Sequence, residues 1–375
     1  MHVRHHPLLS PSLGTQRALT SFHFGQSGQG EKVHIQASLH ADELPGMLVA
    51  WHLKQRLRLL EDEGAIRGEI TVLPVANPIG LNQNQNGRLL GRFELLSGQN
   101  FNRHYLPMAE PVFAAVRGQL GPDASANTRL IREAMRNVLL QHRPQTELQS
   151  LRHTLHSLAF DADIMLDLHC DSRADLHLYT GTPLWDQCEP LSRYLGACAS
   201  LLAEDSGDQP FDEACSQPWW QLRDLAAQSG LSVPIEMACL AVTVELRGEW
   251  DVNHEYAARD AEGIIHFLQH RGVIAGDAPE LPPLRHPATP LAGSEDLLAP
   301  HAGVVVYRAE PGSLLSPGDL VADVIDPEHD VVSQVCTQRG GVLYATSDRP
   351  YATAGLGIAR VAGDTAFKSG KLLTA

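Results

Sequence analysis

VHIQASLHADELPGM, residues 33–47, decides the architecture of this 375-residue chain. Its first half, 33–39, is an apolar run of strand length, and it gives way to the polar turn His40-Ala-Asp-Glu43 just before Pro45. Proline fits the first turn of a helix, where its missing N–H costs nothing. Met47, Leu48, Trp51, Leu57, Leu59 and Leu60 then carry an apolar face through Glu61. Residues 70–75 (ITVLPV) make a second apolar run, stopped by Ala76-Asn77-Pro78-Ile79-Gly80. Strand, helix and strand in that order predict parallel strands covered by a helix.

Working outward, residues 164–168 (IMLDL) read as a third strand leading to His169, and 238–246 (ACLAVTVEL) as a fourth, stopped by Arg247-Gly248. Residues 128–140 place Leu130, Ile131, Ala134, Met135, Val138 and Leu139 on one helical stripe, and 253–269 read as a closing helix. Between them, 81–105 is a long polar loop rich in Gly and Asn, and such loops inside a domain are commonly functional. Residues 212–220 (DEACSQPWW) are expected as a loop over the site, with the tryptophans packing rather than stacking on substrate. Beyond Gly272 the texture changes. Residues 275–291 are proline-rich, which suits an extended linker, and GVVVY, DLVADVID and GGVLYAT follow as short strands. The expected fold is α/β, with a mixed, largely parallel sheet flanked by helices over 1–274. A linker spans 275–297, and a small all-β unit spans 298–375.

Lys and Arg number 29 against 44 Asp and Glu, a formal charge of −15. That surface repels nucleic acid and acidic membranes, so neither is an expected partner. No run approaches ~20 apolar residues, so no membrane span is expected. Residues 1–14 carry His and Pro where a secretory signal needs an apolar core. The six cysteines, at 170, 188, 198, 215, 239 and 336, form no C-x-x-C pair and read as free thiols of a cytoplasmic protein.

Nineteen histidines make any His-based motif cheap: about two would have an acid three residues on by chance in this composition. One does, His40–Glu43. Its weight comes from position, because it lies where a strand ends and a helix begins, the edge at which open α/β sheets bind ligands. An imidazole and a carboxylate three residues apart on such a turn can converge on one Zn²⁺, and a third ligand must come from elsewhere. His169 closes another predicted strand and is the expected third. Asp163, Asp167 and Asp171 surround it as candidates to orient the ring. Glu245 is the one charge inside residues 240–246, where a buried carboxylate is costly unless paired or functional. Facing the metal, it would serve as general base.

His40–Glu43, Asn77-Pro78, Asn102-Arg103, Asp167-Leu168-His169 and Thr243-Val244-Glu245-Leu246, in this order, resemble the succinylglutamate desuccinylase/aspartoacylase family, a branch of the zinc carboxypeptidase fold. The resemblance covers roughly residues 30–270. It implies one Zn²⁺ per chain on His40, Glu43 and His169, with Glu245 as general acid/base. It also implies that Asn102 and Arg103 grip a substrate carboxylate. An upstream arginine would stabilise the oxyanion, a role expected of Arg92 with Arg88 as the rival. The implied activity is hydrolysis of the amide bond of a small, anionic N-acylated amino acid or related amine, with water on the metal as nucleophile. A carboxypeptidase acting on peptides and a non-catalytic metal-binding scaffold are the alternatives. Three departures stand out: Ala41 replaces a more usual Gly, Arg247 replaces a small residue below Glu245, and Cys170 follows His169. The C-terminal unit resembles the barrel-sandwich fold of biotinyl and lipoyl carriers, yet its only lysines are Lys368 and Lys371 at the end of the chain. It is expected instead near the mouth of the site or at a homo-oligomer contact.

Overall fold

The apolar run that opens the 33–47 stretch is a strand, Lys32–Ala37, and Pro45 is the first residue of helix Pro45–Asp62. This is seen in a computed structural model, which describes residues 1–373. The strand lies inside a nine-stranded mixed sheet whose order from one edge is His2–Pro7, Ala18–Gly25, Glu69–Leu73, Lys32–Ala37, Ile164–Asp171, Leu240–Gly248, His177–Gly181, Ala199–Ala203 and Thr289–Pro290. Lys32–Ala37 pairs in parallel with both Glu69–Leu73 and Ile164–Asp171. Ile164–Asp171 pairs in parallel with Leu240–Gly248. The two N-terminal strands are antiparallel additions at the edge.

Side chains alternate across a strand, and here the alternation sorts them into two cores. Val33, Ile35, Ile164, Leu166, Val242 and Val244 pack beneath helices Pro45–Asp62, Trp185–Leu195 and His254–His270. Met165 and Ala241 point the other way, toward helices Ala109–Val116, Ala124–Gln141, Glu147–Ala159 and Phe211–Gln228. Each fully buried aliphatic side chain contributes about 1.5–3 kcal/mol, which fixes the register. A one-residue slip would exchange the two faces. On the second face the central strands also carry His34, Gln36 and Asp167, all fully buried, and this polar line leads to the site.

The C-terminal region forms two antiparallel sheets. One runs Ser294–Leu298, Gly357–Ala362, Gly341–Thr346, Leu314–Leu315, and the other Val331–Cys336, Leu320–Asp326, Gly303–Tyr307, Tyr351–Ala352. Leu297, Val305, Val324, Leu343 and Val361 fill the space between them. Strand Ser294–Leu298 begins inside the stretch expected as linker. Strand pairing joins this region to the rest at two places, and Val342, Tyr344 and Ala345 also pack against Tyr179, Ala199 and Leu201. Arg173–Ala174 pairs with Gly341–Thr346, and Thr289–Pro290 is the last strand of the large sheet. Among the described residues, no helix is long and apolar enough to cross a membrane.

Candidate functional site

Three parallel strands deliver the site at their carboxyl ends. The chain leaves Lys32–Ala37 through Ser38, which has φ +64°, and enters the His40 turn. Asn77 clamps that turn: its Nδ2 donates to the Leu39 carbonyl at 2.9 Å while its Oδ1 accepts the Gly80 N–H at 2.8 Å. Gly46 seats the helix on the neighbouring strand, since a Cβ there would stand 2.7 Å from the Leu168 carbonyl oxygen. The polar loop closes over the turn at Gly91, whose carbonyl accepts the Ala41 N–H at 3.0 Å.

The candidate ligand atoms of His40, Glu43 and His169 lie within 4.8 Å of one another, and all three residues are buried. His40 Nδ1 is 2.8 Å from Glu43 Oε1, and His169 Nδ1 is 2.7 Å from Glu43 Oε2. Both rings turn their Nε2 atoms outward. His169 Nε2 lies 3.0 Å from Asp167 Oδ2, off the line of a good hydrogen bond, and Gln36 Nε2 donates to Asp167 Oδ1 at 3.1 Å. Asp167 is thus the one of the three expected aspartates that meets the ring. Asp163 instead pairs with Arg132, and Asp171 with Arg360.

His40 tests whether these residues fit a cation. Asn100 Oδ1 accepts the Asn102 N–H at 2.8 Å, which fixes that amide with its oxygen toward His40 Nε2, 2.9 Å away. Nε2 must therefore carry the proton. Burial, reinforced by the Arg92 charge, pushes the His40 pKa down to about 4, so the neutral ring presents its Nδ1 lone pair to a carboxylate oxygen. Two acceptors in contact repel unless a cation lies between them. Burial alone would raise Glu43, but the two imidazoles outweigh it and hold the carboxyl well below its usual range. Burial would lower His169, and the charges of Asp167 and Glu43 overcome it. Two nitrogens and a carboxylate, with acceptors on the outer ring nitrogens, are the donor set and outer support of a zinc-type site.

Glu245 stands directly opposite His169 in the register of their strands. It lines a cavity of about 520 Å³ whose wall also includes the three candidate ligands, and its Oε2 has no partner among the described residues. Burial first, then the charge of Glu43, pushes its pKa up to about 8. Arg92 reaches into the cavity with Nη1 3.3 Å from both His40 Nδ1 and Glu43 Oε1. Arg88 lies on a small exposed hairpin and is not part of the cavity wall. Asn102 and Arg103 are both on the wall and buried. Asn102 Oδ1 accepts the Phe211 N–H at 2.8 Å, and Arg103 Nη1 donates to the Asn102 carbonyl at 2.7 Å.

Residues 212–220 are not a loop over the site. They are part of helix Phe211–Gln228, which absorbs Pro218 in its interior. The buried pattern of Trp219, Trp220, Leu222 and Ala226 outweighs one missing N–H, and the two tryptophans belong to opposite cores. Arg247 also leaves the pocket floor untouched. With φ +68° it turns away to form a bidentate pair with Asp260, at 2.7 and 2.9 Å, under the Tyr256 ring. Ala41 is accommodated against Gly80. Cys170 contributes its backbone N–H to Glu43 Oε2 at 3.1 Å, and its sulfur is outside the ligand group.

Several wall residues escaped the sequence reading. Arg349, Arg360 and Leu373 come from the C-terminal region, whereas Asp212 and Glu213, expected near the site on a loop, reach the wall from the first turn of helix Phe211–Gln228. Asn100 lay two residues from a recognised pair, and nothing in its spacing marked it as the partner of His40.

A family model described as the succinylglutamate desuccinylase/aspartoacylase catalytic domain matches residues 29–271. Among solved structures, a protein of that family from Shewanella amazonensis shares 26% identity and a TM-score of 0.84, over 96% of this chain and 98% of its own. One from Shewanella frigidimarina gives 25% and 0.83, over 97% of each chain. The ectoine utilization protein EutE of Ruegeria pomeroyi, solved with product bound, has a similar fold at 15% identity and a TM-score of 0.66, over 96% of this chain and 95% of its own. No curated protein matches the chain.

Proposed function

Since the chain belongs to the succinylglutamate desuccinylase/aspartoacylase family, we propose that it is a zinc-dependent deacylase that hydrolyses the amide bond of a small N-acylated amino acid or related amine. The observation that carries this reading is the ring of His40, Glu43 and His169 with Glu245 in register beside it. A Zn²⁺ held by those three side chains, one per chain, supplies Lewis acidity, which acidifies water and polarises a carbonyl.

The remaining roles fall to this chain's own groups. Glu245 takes the proton of the attacking water and returns it to the departing amine nitrogen as the C–N bond breaks, leaving a carboxylic acid and an amine. Its unpartnered Oε2 is free for that proton. The Glu43 charge contributes to the high pKa of Glu245, and a cation on Glu43 offsets that cause and favours the ionised base. The Arg92 guanidinium donates to the oxygen that gains negative charge. Asn102 offers its amide N–H₂, the oxygen being taken by Phe211, and Arg103 offers charge, so together they hold the substrate carboxylate.

We read the helix-flanked sheet as zinc carboxypeptidase-like, with domain limits 1–274, 275–297 and 298–375. The two C-terminal sheets read as barrel-sandwich-like. With Arg349 and Arg360 on the cavity wall, the C-terminal unit serves this reading as a wall of the substrate site, not as a carrier. Unpaired cysteines support a cytoplasmic setting. Turnover of N-acylated amino acids beside dipeptides, by zinc-loaded and chelator-treated protein, tests the proposal. Metal-dependent release of amine from the acylated amino acids supports it, and cleavage of dipeptides alone would replace it with a carboxypeptidase.

A further inference from the structure

Gln36 and Asp167 are register partners on the parallel strands Lys32–Ala37 and Ile164–Asp171, and both are fully buried. Val33 and Ile35 face the first core, so His34 and Gln36 share the opposite face with Asp167. Polar groups at such depth are costly unless they are paired, and these three are paired with one another. Gln36 Nε2 donates to Asp167 Oδ1 at 3.1 Å, and Gln36 Oε1 lies 3.3 Å from His34 Nε2. Asp167 is then left with Oδ2 to turn toward His169 Nε2, 3.0 Å away.

The orientation of this line is fixed from both ends. A carboxylate only accepts, so the amide presents its N–H₂ to Asp167 and its oxygen to His34. His34 must therefore donate through Nε2. Burial pushes its pKa down to about 4, so the neutral ring has that one N–H, and its Nδ1 has no partner among the described residues. Neither His34 nor Gln36 belongs to the candidate ligand group or to the cavity wall. Among the described residues, their side-chain hydrogen bonds lead to the site only through Asp167.

We propose that Gln36 is a positioning residue for the metal centre: it holds the Asp167 carboxylate so that the second oxygen meets His169 Nε2, and His34 sets the orientation of the Gln36 amide. The inference rests on the zinc reading for the identity of the cation. It assigns part of the zinc affinity to a side chain that touches neither the metal nor the substrate. Without Gln36, Asp167 Oδ1 is a buried oxygen lacking a donor, and the carboxylate is free to tilt away from the ring.

Zinc dissociation constants, measured by competition with a chromophoric chelator for wild type, Gln36→Met, Asp167→Asn and the double variant, test this. Gln36→Met keeps length and removes both hydrogen bonds. It should weaken zinc binding about tenfold, at the low end for partners behind a ligating imidazole. On the Asp167→Asn background the same change should cost less than about twofold, because its route to the metal is already cut. A side chain that merely supports the fold lowers the urea stability of the metal-free protein but leaves zinc affinity within about threefold, or weakens both backgrounds equally. Either result overturns the proposal. If Gln36→Met does not fold, Gln36→Asn, whose shorter amide does not span from His34 to Asp167, is judged by the same criteria. Wild-type protein that binds no zinc overturns the metal reading and this role together, whereas a zinc-binding wild type with an unaffected Gln36 variant removes the role alone.

Discussion

His169 and Glu245 are register partners on adjacent parallel strands, so the third candidate ligand and the candidate base are set side by side by backbone pairing. Neither depends on a mobile loop for its position. One strand end points His169 at Glu43 Oε2, and the end of the adjacent strand places Glu245 on the cavity wall.

Glu245→Gln preserves shape and removes the proton acceptor. The variant should bind zinc as the wild type does and lose about 10²- to 10⁴-fold in kcat, the usual weight of a general acid/base. Paired metal analysis and steady-state kinetics check this, and turnover within threefold of wild type at full zinc loading would remove Glu245 from the role.

Arg92 and Arg88 can be separated by the same assay. Arg92→Ala takes away the guanidinium 3.3 Å from His40 and Glu43 and should cost about 10²- to 10³-fold in kcat, as expected for loss of an oxyanion donor. Arg88→Ala, on an exposed hairpin away from the cavity, should leave kcat and KM within about twofold, as surface substitutions ordinarily do. The opposite pattern would transfer the assignment to Arg88.

The stability of the metal-free protein should depend on pH through Glu213. The folded chain holds its proton up to about pH 8, whereas the ordinary value is 4.5. Stability from this group is therefore fully present below the unfolded value and is lost as pH rises toward 8. Glu213→Gln has no proton to release. It should flatten the decline and be more stable than wild type at pH 8 by on the order of 1–3 kcal/mol. Urea unfolding of both proteins at pH 5 and pH 8, with chelator present, measures this, and parallel declines would contradict it.

Much of this frame was readable from the chain because the central elements announce themselves. The strand-length run at 33–39, the stop at His40 and the proline that opens helix Pro45–Asp62 are local signals. Residues 164–168 and 240–246 are mostly apolar at successive positions, as buried parallel strands are. The N-terminal strands His2–Pro7 and Ala18–Gly25 escaped notice because an edge pair half open to solvent keeps polar residues, four of them histidines. Pro218 hid a helix that tertiary burial sustains. Within the site, His40 and Glu43 are neighbours in sequence and were legible. Asn100 reaches His40, and Arg360 shares the cavity wall with both, only because the polar loop and strand Gly357–Ala362 fold back onto the same sheet end. No spacing along the chain records that convergence.

The account turns on one divalent cation gathered by His40, Glu43 and His169. Elemental analysis of purified wild-type protein beside His40→Ala, after equilibration with limiting zinc and gel filtration, tests this most directly. About one zinc per wild-type chain and at least tenfold less in the variant is the predicted result. Wild-type protein as free of metal as His40→Ala, or a variant as fully loaded as wild type, would contradict it.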